Sequence, residues 1–313
     1  MPLDRPAPVI AVVGSLNIDL IAYTTRVPGA GETVLGDRFV MGFGGKGANQ
    51  AVMAARLGAK VSMVGALGDD VYAGMTFDNL AAQGVDATHV ARVPGSSGVA
   101  PIWVEPDGTN RIIVVGGANE RVDPDAAAAA VASMDGLRVV IGQLEIPQAV
   151  TAAAFRAARA RGVTTILNPA PAATVSEELI ASADWLIPNE HEILLVAGMR
   201  PRELEDDVLM EIGSVFRPRL LVTLGARGAA LVRQDGTVAR IPALPVKAID
   251  STGAGDAFVG AFAYGLAAGL DEVTAVRLGI ACASDSVTRT GTQSSFATRA
   301  AARQIVERVL PAG

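Results

Sequence analysis

The sequence predicts an α/β fold: a mostly parallel central sheet with helices on both faces, plus a small β-sheet lid. Three observations carry this. Short apolar runs recur along most of the 313 residues without the alternation of a half-exposed strand. Alanine-rich stretches of helical periodicity separate them. Two regions, 17–42 and 98–115, hold strand-like pieces with no helix between them.

Taken in order, VIAVVG (9–14) is the first core strand. IDLIAY and ETVLGDRFVM follow inside 17–42 and are assigned to the lid. KGANQAVMAARLG (46–58) has helical periodicity and stops at Gly58, and KVSMVGALG (60–68) returns to strand. GVAPIWVE and TNRIIVV flank a Pro-Asp-Gly turn, a hairpin that completes the lid. The alanine run 126–130 belongs to a helix. VVIGQLE (139–145), TTILNPA (164–170), DWLIPN (184–189) and LLVTLG (220–225) are further core strands, with helices at 148–161 and 190–197. AFVGAFAYGLAAG, after Gly253-Ala254-Gly255, is apolar on every side and predicts a buried helix; another covers 273–288. No repeat or linker divides the chain, so residues 1–313 read as one domain with a Pro-rich, disordered start. In parallel sheets ligands bind beyond the carboxyl ends of the strands, so function is sought there.

Composition excludes several classes. Half the residues are apolar, enough for a sizeable core. The net charge is −6 and no basic block exists, so no nucleic-acid surface is expected. No apolar run reaches the roughly 20 residues of a membrane span, and no basic-then-apolar leader pattern opens the chain. Cys282 stands alone, which excludes an intrachain disulfide and suits a cytoplasmic setting. His89 and His191 leave little from which to build a zinc site or a Ser-His-Asp triad, and His191 reads as a helix-surface residue.

GFGGKGANQA contains a formal GxGxxG in Gly42, Gly44 and Gly47. A dinucleotide fold would place it after the first core strand, with an acid ending the next. Here the first strand runs into Gly14-Ser15-Leu16-Asn17-Ile18-Asp19, and the strand after the loop ends at Gly65. Nor is it a Walker A loop, because Gly47 follows Lys46. Two readings stay open. Bare backbone can admit a polar ligand, with Lys46 giving charge and Asn49 a hydrogen bond, or the glycines simply turn the chain into a core helix.

DSTGAGDAF (250–258) opens the buried helix. Free amides and the positive end of the helix dipole make an anion site there. Asp256, in its first turn, is either a cap and dipole partner or a base that takes a hydroxyl proton beside a transferring phosphate. Unaided, PNEHE (188–192) reads as an N-cap with first-turn acids, Glu145 as a helix-starting acid, and 286–295 as a solvated polar loop.

Together GSLNID, GFGGKGANQA, QLE, NPAPA, PNEHE, TLGARG and DSTGAGDAF, in this order, resemble the ribokinase family of carbohydrate kinases from residue 14 to about 295. The resemblance implies a ribokinase-like fold and ATP-dependent phosphorylation of D-ribose at its 5-hydroxyl. Fructose, 2-keto-3-deoxygluconate, adenosine or pseudouridine are alternative acceptors, and a non-catalytic sugar sensor is the reading from another class. By resemblance Asp256 is the catalytic base, and Gly253, Ala254 and Gly255 form its anion hole. Asn17, Asp19, Gly44, Gly45, Lys46, Asn49 and Glu145 hold the sugar. Asn189, Thr223, Leu224, Gly225, Ala226, Arg227, Gly228, Gly255 and Ile280 lie along ATP. Glu192 holds magnesium through water. Asp250, Thr252, Ser286, Arg289, Gly291 and Ser295 ring an activating potassium ion. The lid covers the sugar, excludes water and pairs two subunits into a homodimer.

Overall fold

The structure is a computed structural model that describes residues 6–233 and 235–310. The disorder expected of the Pro-rich start falls largely on residues 1–5, outside the described residues. The chain opens with β1 (Val9–Val13), β2 (Asn17–Tyr23) and β3 (Arg38–Gly44), then α1 (Lys46–Arg56), β4 (Lys60–Leu67), α2 (Val71–Gln83) and β5 (Val85–Arg92). A hairpin, β6 (Gly98–Val104) and β7 (Asn110–Ile112), precedes α3 (Pro124–Ser133). Strands and helices then alternate: β8 (Leu137–Gly142), α4 (Gln148–Arg159), β9 (Thr164–Leu167), α5 (Glu177–Ser182), β10 (Trp185–Leu186) and α6 (Glu190–Val196). After α7 (Asp206–Val215) come β11 (Arg219–Thr223), β12 (Ala229–Val232) and β13 (Val238–Ile241). Three helices finish the chain: α8 (Ala254–Ala267), α9 (Glu272–Ser286) and α10 (Arg299–Val309).

The main sheet has nine strands in the order β13-β12-β11-β10-β9-β8-β1-β4-β5. It is parallel from β11 to β5, and the β12–β13 edge is antiparallel. Both faces are covered, which explains the unbroken apolar runs. In β1, Ile10 and Val12 enter one core with α1, α2, α8, α9 and α10. Ala11 and Val13 enter the other, with α3 to α7. Successive strand residues point to opposite faces, so both must be apolar. Trp185 meets Phe262 edge-on at 5.0 Å between ring centroids, seating α8 on the sheet.

The lid is a four-stranded sheet in the order β3-β2-β6-β7. It departs from expectation at two points. The strand expected within 32–41 begins at Arg38, because β2 ends at Tyr23 and its seven residues pair 38–44. The expected 109–115 strand shrinks to Asn110–Ile112, after which pairing slips: Ile113 donates to Pro101 and Val115 bridges Val99. Core strands also stop early. The 139–145 strand ends at Gly142, which leaves Gln143 and Glu145 beyond the sheet edge.

α1 and α8 lie in direct contact. A Cβ at Gly260 would stand 2.6 Å from the Gln50 carbonyl oxygen, so only glycine allows this approach. Gly260→Ala is therefore expected to destabilise the protein by about 1–3 kcal/mol through overpacking, read as a lower urea midpoint. Because these two helices carry Asn49, Gln50 and Asp256, turnover falls with it; an unchanged midpoint would contradict the contact.

Candidate active site

Polar side chains gather beyond the carboxyl ends of β1, β8, β9, β10 and β11, as the topology requires. Asp256 is the third residue of α8 and is buried. The helix begins at Gly253, whose φ of 75° lies in the left-handed region that favours glycine. The Ala254 amide is engaged by Ser251 O at 3.2 Å, and Ala257 donates back to Gly253 O. Among the described residues, the Gly255 and Asp256 amides have no protein acceptor. The free amides at the helix start are thus those of Gly255 and Asp256 rather than that of Ala254.

Each carboxylate oxygen of Asp256 accepts one amide. Asn49 Nδ2 donates to Oδ2 at 2.9 Å and Gln50 Nε2 to Oδ1 at 3.0 Å. Both donors come from the first two turns of α1. Gln50 also donates to Asn168 Oδ1 at 3.0 Å, and Asn168 donates to Ile187 O. Gln293 Nε2 donates to Asn49 Oδ1 at 3.1 Å.

The sugar-side residues expected from sequence come together around the lid's root. Asn17 and Asp19 sit at the start of β2, opposite Gly44 and Gly42 of β3. Gly44 leaves room for the Asp19 carboxylate, which a Cβ there would strike. Gly45 has φ 85° and passes so near β2 that a Cβ would lie 2.8 Å from the Asn17 amide nitrogen. Asn119 Nδ2 donates to Asn17 Oδ1 at 2.7 Å while Asn119 Oδ1 accepts from the Leu16 amide, fixing the Asn17 side chain. Glu145 Oε2 accepts from Ser15 Oγ at 2.5 Å and from the Lys46 amide at 2.9 Å, pinning the α1 start to β8.

Four carboxylates share this space with one lysine. Burial works against the Lys46 ammonium, yet Asp256, Glu145 and Glu192 outweigh it and hold it above its ordinary value. Asp19 is pushed from 3.8 up to about 7, first by burial and then by the charges of Glu145 and Asp256, against a weak Thr292 hydroxyl contact. Glu192 is raised, chiefly by burial, with the Asn189 amide and Lys46 pulling the other way.

Two cavities meet here. A cleft of about 790 Å³ is lined by Asn189, His191, Thr223, Gly225, Ala226 and Gly228 on one side and by Leu244, Val246, Phe258, Ile280 and Val287 on the other. A smaller polar one, about 210 Å³, is lined by Lys46, Asn168, Glu192, Gly253 and Asp256 among others. Asn189, Thr223, Ser251 and Gly255 line both. His191 is exposed on α6, as expected. Leu224 instead lies in the core, and Arg227 pairs with Glu190 at the surface; neither lines the cleft.

Asn189 and Glu192 make a capping box, Asn189 Oδ1 accepting from Glu192 N and Glu192 Oε2 from Asn189 N, each at 2.8 Å. The local reading of PNEHE is thereby correct, and the same residues face the cavities. No group of three His, Cys, Asp or Glu among the described residues forms a metal cage. A magnesium ion would fit as a passenger of polyphosphate, with Glu192 as the protein carboxylate beside it. In the 286–295 loop, Asp250 accepts from Thr252 N and Oγ1 and from Gly291 N, and these donors outweigh burial to hold it below its ordinary value. Arg289 donates to Ser295 O at 2.8 Å and pairs with Asp285. Ser286 Oγ donates to Ala283 O, and Ser286 O accepts the Arg289 amide.

The sequence reading missed Gln50, Asn119, Gln143, Asn168, Ser251, Thr292 and Gln293. Gln50, Gln143 and Asn168 lie inside the quoted segments GANQA, QLE and NPAPA, which was the available signal.

The chain belongs to the pfkB family of carbohydrate kinases, whose model matches residues 8–299. The deoxyribokinase of Salmonella typhi is 39% identical over 292 residues, covering 92% of this chain and 95% of that protein. The ribokinase of Bacillus subtilis is 40% identical over 291 residues, covering 93% and 96%. The fold superposes on the ribokinase of Arabidopsis thaliana, solved with ribose and ATP, with a TM-score of 0.88 and 31% identity over 96% of this chain and 99% of that one.

The Asp19 shift has a checkable sign. The folded protein keeps a proton that the unfolded chain releases near 3.8, so the stability this residue contributes is present below that pH and is lost as pH rises through about 7. Asp19→Asn is expected to raise the thermal midpoint at pH 8 while changing it little near pH 4. In the sugar-holding role that the resemblance gives Asp19, the ionised carboxylate is the stronger acceptor for hydroxyls, so the apparent KM for the sugar should fall as pH rises from 6 to 8. A flat KM over that range would contradict this.

Proposed function

We infer that the protein phosphorylates D-ribose at its 5-hydroxyl with ATP, giving D-ribose 5-phosphate and ADP. One observation carries this reading: a buried carboxylate, Asp256, stands at a helix start where the large cleft and the polar sugar-side residues converge. The 790 Å³ cleft suits a nucleotide, with the apolar Leu244, Val246 and Ile280 at one end for the base and Asn189, Thr223 and Gly225 toward the phosphates. Asn17, Asp19, Lys46, Asn49 and Glu145 hold the sugar, Asp19 and Glu145 accepting from its hydroxyls. Asp256 takes the proton from the attacking hydroxyl. The Gly255 and Asp256 amides and the helix dipole steady the transferring charge. Glu192 and Asn189 would hold magnesium, which when bound would neutralise phosphate charge. Lid closure over the sugar keeps water, the competing acceptor, away. A cytoplasmic setting agrees with the single, buried, unpaired Cys282. No helix among the described residues is long and apolar enough to cross a membrane.

A second acceptor, 2-deoxyribose, is favoured by the deoxyribokinase relative, which is as similar as the ribokinases. A coupled ATPase assay with ribose, 2-deoxyribose, fructose, 2-keto-3-deoxygluconate, adenosine and pseudouridine separates the acceptors. The highest kcat/KM is expected on ribose, and a higher value on any other overturns the substrate assignment. Asp256→Asn is expected to lower kcat on the order of a thousandfold with the fold intact. Near-parental turnover would remove Asp256 as the base.

A monovalent cation is assigned to the loop formed by Asp250, Thr252, Ser286, Arg289, Gly291 and Ser295, beside the α8 start, where it would hold the amides in place. Potassium is expected to raise turnover over tetramethylammonium; equal rates in both would refute the assignment. The lid is proposed to join two copies of the chain. On the face opposite Asp19 the register places Leu20, Phe39, Met41 and Trp103, with Phe39 64% exposed. Phe39→Asp should convert dimers to monomers in sedimentation velocity; a monomeric parent protein would refute the pairing.

A further inference from the structure

Gln143 is fully buried just beyond β8. Its Nε2 donates to Gln50 Oε1 at 2.6 Å, and Gln50 Nε2 in turn donates to Asp256 Oδ1. Its own carbonyl oxygen, Oε1, is buried without a hydrogen-bond partner among the described residues. Native interiors rarely leave an acceptor unpaired, because desolvating it without a donor costs free energy. Turning the Gln143 amide over would not cure this, since it would set its carbonyl against the carbonyl of Gln50. Gly14 has no side chain at this point, and a Cβ there would run into Gln143 Oε1. The glycine therefore makes room for an amide that pays a local cost.

The orientation follows from the carboxylate outward. An ionised carboxylate only accepts, so Gln50 must turn its NH₂ toward Asp256 and its carbonyl away. That carbonyl is buried and needs a donor, which Gln143 supplies. A second chain reaches the other oxygen in the same sense: Asn79 Nδ2 donates to Gln293 Oε1, Gln293 Nε2 to Asn49 Oδ1, and Asn49 Nδ2 to Asp256 Oδ2. In each chain one N–H of every amide is handed on toward Asp256, so each of its two oxygens receives an oriented donor. This matters in a site where Asp19, Glu145 and Glu192 oppose further negative charge and Lys46 alone favours it.

We propose that Gln143, which makes no hydrogen bond to Asp256, is a positioning residue for the phosphoryl-transfer step: through Gln50 it fixes the amide donor on Asp256 Oδ1 and so keeps the carboxylate aimed, at the expense of its own unpaired carbonyl. This rests on Asp256 being the base. Among the described residues the Gln143 side chain hydrogen-bonds only Gln50 and none of the residues assigned to the sugar, so its effect should fall on kcat and spare sugar binding.

The test is Gln143→Met, similar in length and without polar atoms, measured beside Gln50→Met and Asp256→Asn. In Gln143→Met we expect kcat to fall about tenfold, the sugar KM to stay within about threefold, and the thermal midpoint to change little, because the unpaired Gln143 carbonyl goes as the Gln50 carbonyl loses its donor. Gln50→Met, which removes the donor itself, should lower kcat at least as much. A merely structural glutamine would instead give a lower midpoint with kcat within about twofold of the parent, and that result overturns the proposal. So does a fall in kcat matched by an equal rise in KM. If Gln143→Met does not fold, Gln50→Met with parental kcat overturns it as well. Should Asp256→Asn keep its turnover, the reading of the base fails; should it lose turnover while Gln143→Met keeps it, only the positioning role fails.

Discussion

Lys46 is the single cation among four carboxylates that the fold forces together, and the site depends on that imbalance. Asp19 arrives on the lid, Glu145 past β8, Glu192 at the start of α6 and Asp256 at the start of α8. Like charges at this range repel strongly once water is displaced. The protein answers with hydrogen-bond donors rather than with more cations. Glu145 takes the Ser15 hydroxyl and an α1 amide, Glu192 takes the Asn189 amide, and Asp256 takes two side-chain amides. Asp19 has the poorest set, a 3.5 Å contact from Thr292, and it is the carboxyl that burial moves furthest. It is also the one best placed to gain donors from a polyhydroxylated ligand.

The division between lid and body follows from the same sheet logic. β1 is buried on both faces and ends where the polar residues of the candidate site begin, so the chain leaves the core and enters β2 within a few residues. β3 returns along β2 and runs directly into α1, whose first turns reach Asp256. One continuous segment, 17–50, thus carries the polar residues at the lid's root, two lid strands and the amides that bind Asp256.

The alternation of apolar strands and alanine-rich helices was legible because burial on both faces leaves a plain record in sequence. Edge strands left less. β5 mixes Asp86, Thr88 and His89 with its apolar residues, and β13 includes Arg240, because only part of each is covered. The main site residues were legible through ordered motifs, above all Asp256 and the glycine loop. Their supporting amides were not. Gln50 meets Asp256 across 206 positions and Gln293 meets Asn49 across 244, and a buried glutamine has no spacing rule that betrays its partner. Only the fold, by stacking α1 on α8 and folding the 286–295 loop beneath the lid, turns these polar residues into a network.

The absence of a side chain at Gly44 reaches beyond local geometry. Any larger residue there would collide with the Asp19 carboxylate across the β2–β3 pair. The two positions are therefore not independent variables: a substitution at 44 becomes admissible only when 19 is shortened. Mutational scans that change one position at a time will score 44 as immutable for as long as 19 is Asp. Side chains at 44 are reachable only through paired replacements, so a library that varies 44 has to vary 19 with it.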